Sequence, residues 1–278
     1  REAAPAVSHL TATVYRQWQG EDEYRMKEDG ARSRQGFDVV TWGANLQLES
    51  EVSWGRWVYG VDASRDSVDS YSHKLAENGT VRSRAIQGPV ADDATYDLVG
   101  VYVQPIWTGE HSKWQIVPGA RYTHVRLEAE RVQHPVTGER ISPEHDWDAV
   151  VGSLHGSWSW DTERRGWLFA GVAQGFRAPN LSDMTRFDIA RSNEQEVPVE
   201  DLDPERFVSA EIGLRWYDDR IRAQLAAYRT WMDGMIVRAP TGRVLEDGLV
   251  EVTKKNAGDG WIHGIEAIGE WAMTTHWT

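Results

Sequence analysis

The chain contains no cysteine. That excludes a disulfide framework, a thiolate metal site and a cysteine nucleophile, and leaves the redox compartment open. No run of about 18 apolar residues exists, so no membrane-spanning helix can be built from it. A membrane barrel stays open, because its strands alternate and hide their apolar face from a window average. Helical periodicity is missing too: apolar positions at i, i+3, i+4 and i+7 do not persist over three turns anywhere. Basic residues are in the minority, 30 Lys and Arg against 43 Asp and Glu, for a formal net charge of −13. A nucleic-acid-binding face needs the opposite balance. The nine histidines are scattered without metal-ligand spacing, and no Gly-x-Ser-x-Gly elbow occurs. The acidic runs Glu21-Asp22-Glu23, Asp92-Asp93 and Glu200-Asp201-Asp203 lack the spacing of a calcium loop and read as solvated charge. No cofactor or metal is expected. No signal peptide opens the chain, which reads as a piece of a longer protein.

Tryptophan is abundant, with 15 Trp and 9 Tyr against 5 Phe. Such enrichment suits an interfacial aromatic girdle, and equally a packed core or a carbohydrate site. Strand signals dominate the rest. Val7 to Gln19, Phe37 to Glu49, Val52 to Ser64, Tyr96 to Trp107, Trp114 to Glu130, Trp147 to Trp160 and Trp167 to Phe176 are rich in β-branched and aromatic residues. The clearest alternation runs from Phe207 to Tyr217. Val208, Ala210, Ile212, Leu214 and Trp216 take one face, and Ser209, Glu211, Gly213, Arg215 and Tyr217 the other. Ile221 to Trp231 is its partner. A last strand covers about Val250 to Trp271, with a distortion expected at Gly258-Asp259-Gly260. The class is all-β, with about ten strands.

The connections alternate in length. Short ones are expected near Ser50-Glu51, Thr108–Ser112, Asp161–Arg165, Asp218-Asp219 and Thr274-Thr275. Long ones are expected at Gly20–Gly36, Arg65–Thr95, Arg131–Asp146, Arg177–Arg206 and Asp233–Leu249. A soluble sandwich has no reason to place every long loop at one end, whereas an outer-membrane barrel has short periplasmic turns and long extracellular loops. The strands are also longer than the five or six residues usual in soluble proteins.

One stretch organises the chain. Gly175-Phe176-Arg177-Ala178-Pro179-Asn180-Leu181-Ser182-Asp183 follows a strand directly. Pro179 cannot donate to a ladder and pushes Ala178 toward extended geometry, so the strand ends close to Arg177. Further on come Leu202-Asp203-Pro204-Glu205-Arg206 and Glu211-Ile212-Gly213-Leu214-Arg215-Trp216. These two motifs, in this order and separation, resemble the signature of TonB-dependent outer-membrane receptors. The Asp97–Gln104 and Ile116–Tyr122 stretches resemble a hairpin of that family, and Asn256-Ala257-Gly258 followed by Gly264-Ile265-Glu266 resembles the strand after its long loop.

The resemblance implies an antiparallel transmembrane β-barrel, of which residues 1–278 form a partial domain from the C-terminal part of the barrel, a little under half of it. It implies outer-membrane localisation in a Gram-negative bacterium, contact with outer-membrane lipid, and import of a small-molecule nutrient or metal chelate. The plug domain and the N-terminal segment that meets the TonB complex have no counterpart here. Haem receptors usually carry a ligand His in the loop after the motif; residues 177–206 contain none. A ferric siderophore-type chelate therefore ranks first, and no enzymatic activity is implied.

Within this frame the motif and loop-base candidates are Arg177, Pro179, Asn180, Asp183, Glu205 and Glu211. Arg177 is expected to pair with a carboxylate, either to staple the loop base or to meet the plug. Asn180 and Asp183 are suited to brace the turn after Pro179. A ligand mouth needs apolar area with a few placed charges, which points to Tyr24, Arg25, Tyr71, Arg186, Phe187 and Arg191. The competing readings are a passive porin, a soluble all-β carbohydrate-binding domain, and an outer-membrane barrel enzyme; no motif assembles a catalytic constellation for the last.

Overall fold

The computed structural model describes residues 7–27, 29–109, 113–191, 193–245 and 248–273. Ten long strands form one antiparallel meander: β1 (Val7–Met26), β2 (Arg32–Val52), β3 (Gly55–Leu75), β5 (Asp92–Thr108), β6 (Trp114–Gln133), β8 (Glu144–Ser159), β9 (Gly166–Arg177), β12 (Glu205–Tyr217), β13 (Ile221–Val244) and β14 (Val250–Trp271). Each pairs with the next in this order, and β1 does not meet β14, so the sheet is an open wall. Four short strands decorate it. β4 (Val81–Arg84) pairs with β3 and β7 (Arg140–Ile141) with β6. β10 (Asp188–Arg191) and β11 (Glu194–Glu196) extend from the outer part of β14, where β11 pairs in parallel with Val250–Val252. A single five-residue helix, α1 (Leu181–Thr185), lies in the excursion between β9 and β12.

The register builds one continuous apolar face. Across neighbouring strands it aligns Val14, Ala44, Ala63 and Val99, then Val150, then Leu154 with Val172, and Ala210, Ile212 and Leu214 with Ala227, Leu225 and Ile265. Many of these are exposed, Val14 at 74%, Val150 at 73% and Ile265 at 76%. In water such a sheet face would be a large aggregation surface, and on a transmembrane wall it is the belt that meets lipid. Tryptophans bound the belt. Trp54, Trp57 and Trp107 touch one another beside the short turns, and Trp114 pairs with Trp158 at the same level. At the other end, Trp231 faces Trp261 with Arg229 over both rings, and Trp42 lies under Arg16. Eight residue steps separate Trp42 from Ser50, the partner of Trp57. That is roughly 27 Å along the strand, enough to cross the ~25 Å belt of such barrels once tilted.

The opposite, inner face is polar near the short turns. Arg121 forms a bidentate pair with Asp62 at 2.7 and 2.8 Å. Tyr102 lies across Gly60 to donate to Gln47 at 3.1 Å. A Cβ on Gly60 would sit 2.4 Å from the Leu46 carbonyl oxygen and 2.7 Å from the Tyr102 hydroxyl, so the close approach requires glycine there. Toward the other end the inner face turns apolar. Val68, Ala94, Val125, Leu127 and Ala129 from the wall pack with Ala91, Ala178, Leu181, Met184 and Leu202 from inward-folded connections. This is the hydrophobic core, and it holds the excursion after β9 against the wall.

Several expected boundaries move. The segment Gly20–Gly36 is not a loop: β1 and β2 continue, and the turn is confined to Lys27–Ala31 around Gly30, φ 83°. β3 likewise runs to Leu75, β6 to Gln133 and β13 to Val244. These extensions lie beyond the belt and are wet on both faces, so their sequence loses the alternation that marks a strand. The turn expected at Ser50-Glu51 falls at Ser53-Trp54. The distortion expected at Gly258–Gly260 is a slip in register whose extra residues lie opposite, at Asp233-Gly234 of β13, with Gly234 at φ 64°. The turn expected at Thr274-Thr275 lies outside the described residues.

Candidate functional site

β9 ends at Arg177, two residues before Pro179, and Asn180 caps α1. The Asn180 Oδ1 accepts from the Asp183 N–H at 2.9 Å, while Asp183 Oδ2 accepts from the Asn180 N–H at 3.2 Å. This reciprocal box satisfies two donors that a helix start leaves orphaned, and it explains a helix too short for any periodicity to reveal. Asp183 also accepts from Arg177 Nη1 at 2.6 Å. The other two guanidinium nitrogens bind the Glu205 carboxylate edge-on, Nε to Oε2 at 2.7 Å and Nη2 to Oε1 at 2.8 Å. Glu205 opens β12 and directly faces Arg177 in the ladder. Its Oε1 accepts a further N–H from Ile236 at 2.7 Å, at the β13 bulge. All three Arg177 nitrogens are thus engaged inside the protein. The Arg177 guanidinium, with the Ile236 N–H and against partial burial, holds the Glu205 carboxyl below the usual carboxylate range.

The chain of charge continues. Lys254 Nζ lies 3.8 Å from Asp183 and 3.6 Å from Glu196, and Arg238 Nη2 lies 3.1 Å from the other Glu196 oxygen. Glu196 is fully buried, and a buried carboxylate persists only among such partners. Asn256 clamps the returning segment: its Oδ1 accepts from the Asp203 N–H at 2.9 Å, and its Nδ2 donates to the carbonyls of Asp203 and Gly234 at 2.8 and 2.7 Å. Trp147 donates to the Leu202 carbonyl at 2.9 Å. Gln87 is buried between Thr185 O and the Gln133 N–H, each at 2.8 Å. The excursion is therefore a fixed shelf over the inner face, with a recess of about 180 Å³ beside it, bounded by Glu21, Glu23, Gln35, Ser182, Arg186 and Asp188.

Arg177, Pro179, Asn180, Asp183 and Glu205 converge at the shelf's base. Glu211 does not: it is six residues further along β12, roughly 20 Å away, where it faces Gly171 and lies 3.9 Å from His155. The mouth residues separate as well. Arg186 borders the recess, and the Phe187 N–H donates to Pro89 O at 3.1 Å. Arg25 is held by Glu23 at 2.9 Å. The register puts Tyr24 and Tyr71 on the belt side of the wall, not the inner side, because each is an even number of steps from an outward residue of its strand. There the Tyr71 hydroxyl donates to Asp22 at 2.8 Å, and Arg34 with Tyr71 pulls the Asp22 carboxyl down to about 2. Arg191 belongs to β10, and its side chain lies outside the described residues. Among the described residues no group of three or more His, Asp or Glu is arranged to hold a metal ion. The sequence gave no warning of Glu196 and Arg238, which sit in stretches that read as solvated charge.

An open, belted antiparallel wall with a long excursion folded inward defines a transmembrane barrel segment. Residues 7–278 match the family model described as TonB dependent receptor-like, beta-barrel, and the chain belongs to that family. Among solved structures it is similar to the copper transporter OprC, with a TM-score of 0.77 at 17% identity over 97% of this chain and 42% of that one. It is also similar to the ferric yersiniabactin uptake receptor FyuA from Yersinia pestis, at 0.62 and 15% over 97% and 38%. A third is the hemophore receptor HasR of Serratia marcescens, solved with its hemophore HasA and heme, at 0.64 and 15% over 93% and 46%. The chain thus spans less than half the length of each of these three. No curated protein sequence matches it.

Proposed function

We propose that this chain is part of an outer-membrane receptor that binds a scarce nutrient, a ferric siderophore-type chelate first, and imports it through a plugged barrel energised by the inner-membrane TonB complex. One observation carries the reading: the excursion between Arg177 and Glu205 is pinned over the inner face by Glu205, Asp183, Asn256 and a buried apolar cluster. A passive pore gains nothing from a fixed shelf and recess at its outer mouth, whereas a receptor needs a shaped surface there. Arg186, Ser182 and Gln35 at the recess are the first candidates for cargo contact. Arg25, Phe187 and Arg191 lie close by in sequence or sheet, and Tyr24 and Tyr71 are better suited to the outer surface. The similar structures carry copper, ferric yersiniabactin or heme by their own descriptions, so the order of substrates rests on this chain alone, on the absence of His between 177 and 206.

The test is growth of cells with and without the full-length receptor on single iron chelates, haem, cobalamin, copper or glycans as limiting nutrient, with the transducer intact or deleted. Uptake of one chelate that needs both proteins is expected. Uptake independent of the transducer would establish the passive porin instead.

A further inference from the structure

On the belt face, level with the outer tryptophans, the wall carries a trough of about 560 Å³. Its floor is the directly paired Ala44 and Ala63, and Val14 and Val99 on the flanking strands form its sides. Everywhere else in this part of the belt larger side chains fill the same layer: the next row toward the short turns pairs Leu46 with Val61. The next row outward aligns Arg16, Trp42, Arg65 and Asp97 across four strands. Arg16 lies over the Trp42 ring at 5.7 Å and has no carboxylate partner among the described residues. Arg65 gives Nε and Nη2 to Asp97, each at 2.6 Å, and keeps Nη1 free of bonds to described residues. On the far side of the trough Arg126 is committed to Glu128 and Glu144, and His124 to Asp146 and Asp148. The uncommitted positive charge therefore collects on the Trp42 side.

An apolar trough that faces hydrocarbon, closed at its outer end by a tryptophan between two arginines, matches an acyl chain joined to an anionic headgroup. Its level is that of the headgroups of the leaflet at the loop end, which in a Gram-negative outer membrane is a phosphorylated glycolipid. We propose that this trough binds one such glycolipid, with an acyl chain over Ala44 and Ala63 and a phosphate held between Arg16 and Arg65.

The test uses the full-length receptor that contains these residues, stripped of lipid in detergent and titrated in native mass spectrometry with diphosphoryl lipid A and, separately, with phosphatidylglycerol. One retained lipid A per receptor is expected. A63L, which fills the trough without touching a polar partner, should weaken retention about tenfold, equivalent to excluding roughly two methylenes. R16A should weaken it about fivefold, the usual share of one basic residue at an anionic surface. Heat-dependent gel mobility checks assembly of both variants, and if R16A fails to assemble A63L decides alone. Equal retention of lipid A by wild type and A63L, or retention of phosphatidylglycerol as strong as that of lipid A, would overturn the proposal.

Discussion

Removing the Arg177 side chain should release the shelf while leaving the wall intact. In Arg177→Ala, Glu205 and Asp183 lose their shared cation, although each side chain is only 10% exposed. Stripping one partner from a fully buried pair costs about 3–5 kcal/mol. Two features reduce that here. Arg177 itself is 40% exposed, so solvent already screens part of the pair. Each carboxylate also keeps a backbone donor, Ile236 N–H for Glu205 and Asn180 N–H for Asp183. An opening cost lowered by about 2 kcal/mol follows, or about 30-fold faster amide exchange within the shelf. Its reporters are the amides of Met184, bonded to Asn180 O, and Val199, bonded to Met184 O. Hydrogen exchange on the full-length receptor in detergent reads both, with β12 ladder amides such as that of Ile212 as internal control. Exchange at Met184 and Val199 within threefold of wild type, in a receptor that assembles, would refute the argument that Arg177 holds the shelf.

Three further outcomes follow from the same structure. Because the folded Glu205 carboxyl titrates below its unfolded value, its contribution is complete above about pH 4.3 and is lost as pH falls through the lower folded value; shelf exchange, corrected for intrinsic rates, should be flat from pH 7 to 5 and rise only in stronger acid, so a rise already at pH 6 would contradict the assignment. Asn256→Ala removes three hydrogen bonds that tie Asp203 and Gly234 together and should cost about 2 kcal/mol, read as faster exchange at Asp203 with β14 amides below Gly260 unchanged. Gly60→Ala would force a Cβ to within 2.4 Å of Leu46 O and should destabilise the wall by about 1–3 kcal/mol, lowering the urea midpoint of the refolded barrel; a midpoint equal to wild type would mean that β2 and β3 separate there without cost.

The wall was legible in the sequence wherever one face meets lipid and the other water. β12 is the clearest case, since Val208 to Trp216 and Ser209 to Tyr217 separate cleanly between the two faces. Legibility failed where that contrast ends. Glu21 to Met26 and Arg32 to Gly36 read as loop because both faces are wet, yet their backbone bonds continue the ladder and Arg34 pairs with Asp22 at 2.6 Å. The base of the site was legible through Pro179, which stops β9, and through Arg177 and Glu205, which the ladder then sets opposite each other. Glu211 was misplaced because proximity in sequence to Glu205 becomes distance along an extended strand. Glu196, Lys254, Arg238 and Gln87 were invisible for another reason. They acquire their partners only when the chain folds back across the wall, and no local pattern encodes that return.

That return sets an order of assembly. Every neighbouring pair of long strands is consecutive in the meander, so the wall can grow hairpin by hairpin. The shelf cannot form in the same way. Gln87 reaches Thr185 across 98 positions, and Trp147 reaches Leu202 across 55, while the Glu196 carboxylate waits for Lys254 near the end of the chain. Contacts of such long range are paid for in loop-closure entropy before they stabilise anything. Docking of the shelf is thus the closing event, and until it happens Val125, Leu127 and Ala129 form an uncovered apolar patch inside a growing wall. That interval is when the nascent barrel is most open to mispairing, and when a periplasmic holdase has most to protect.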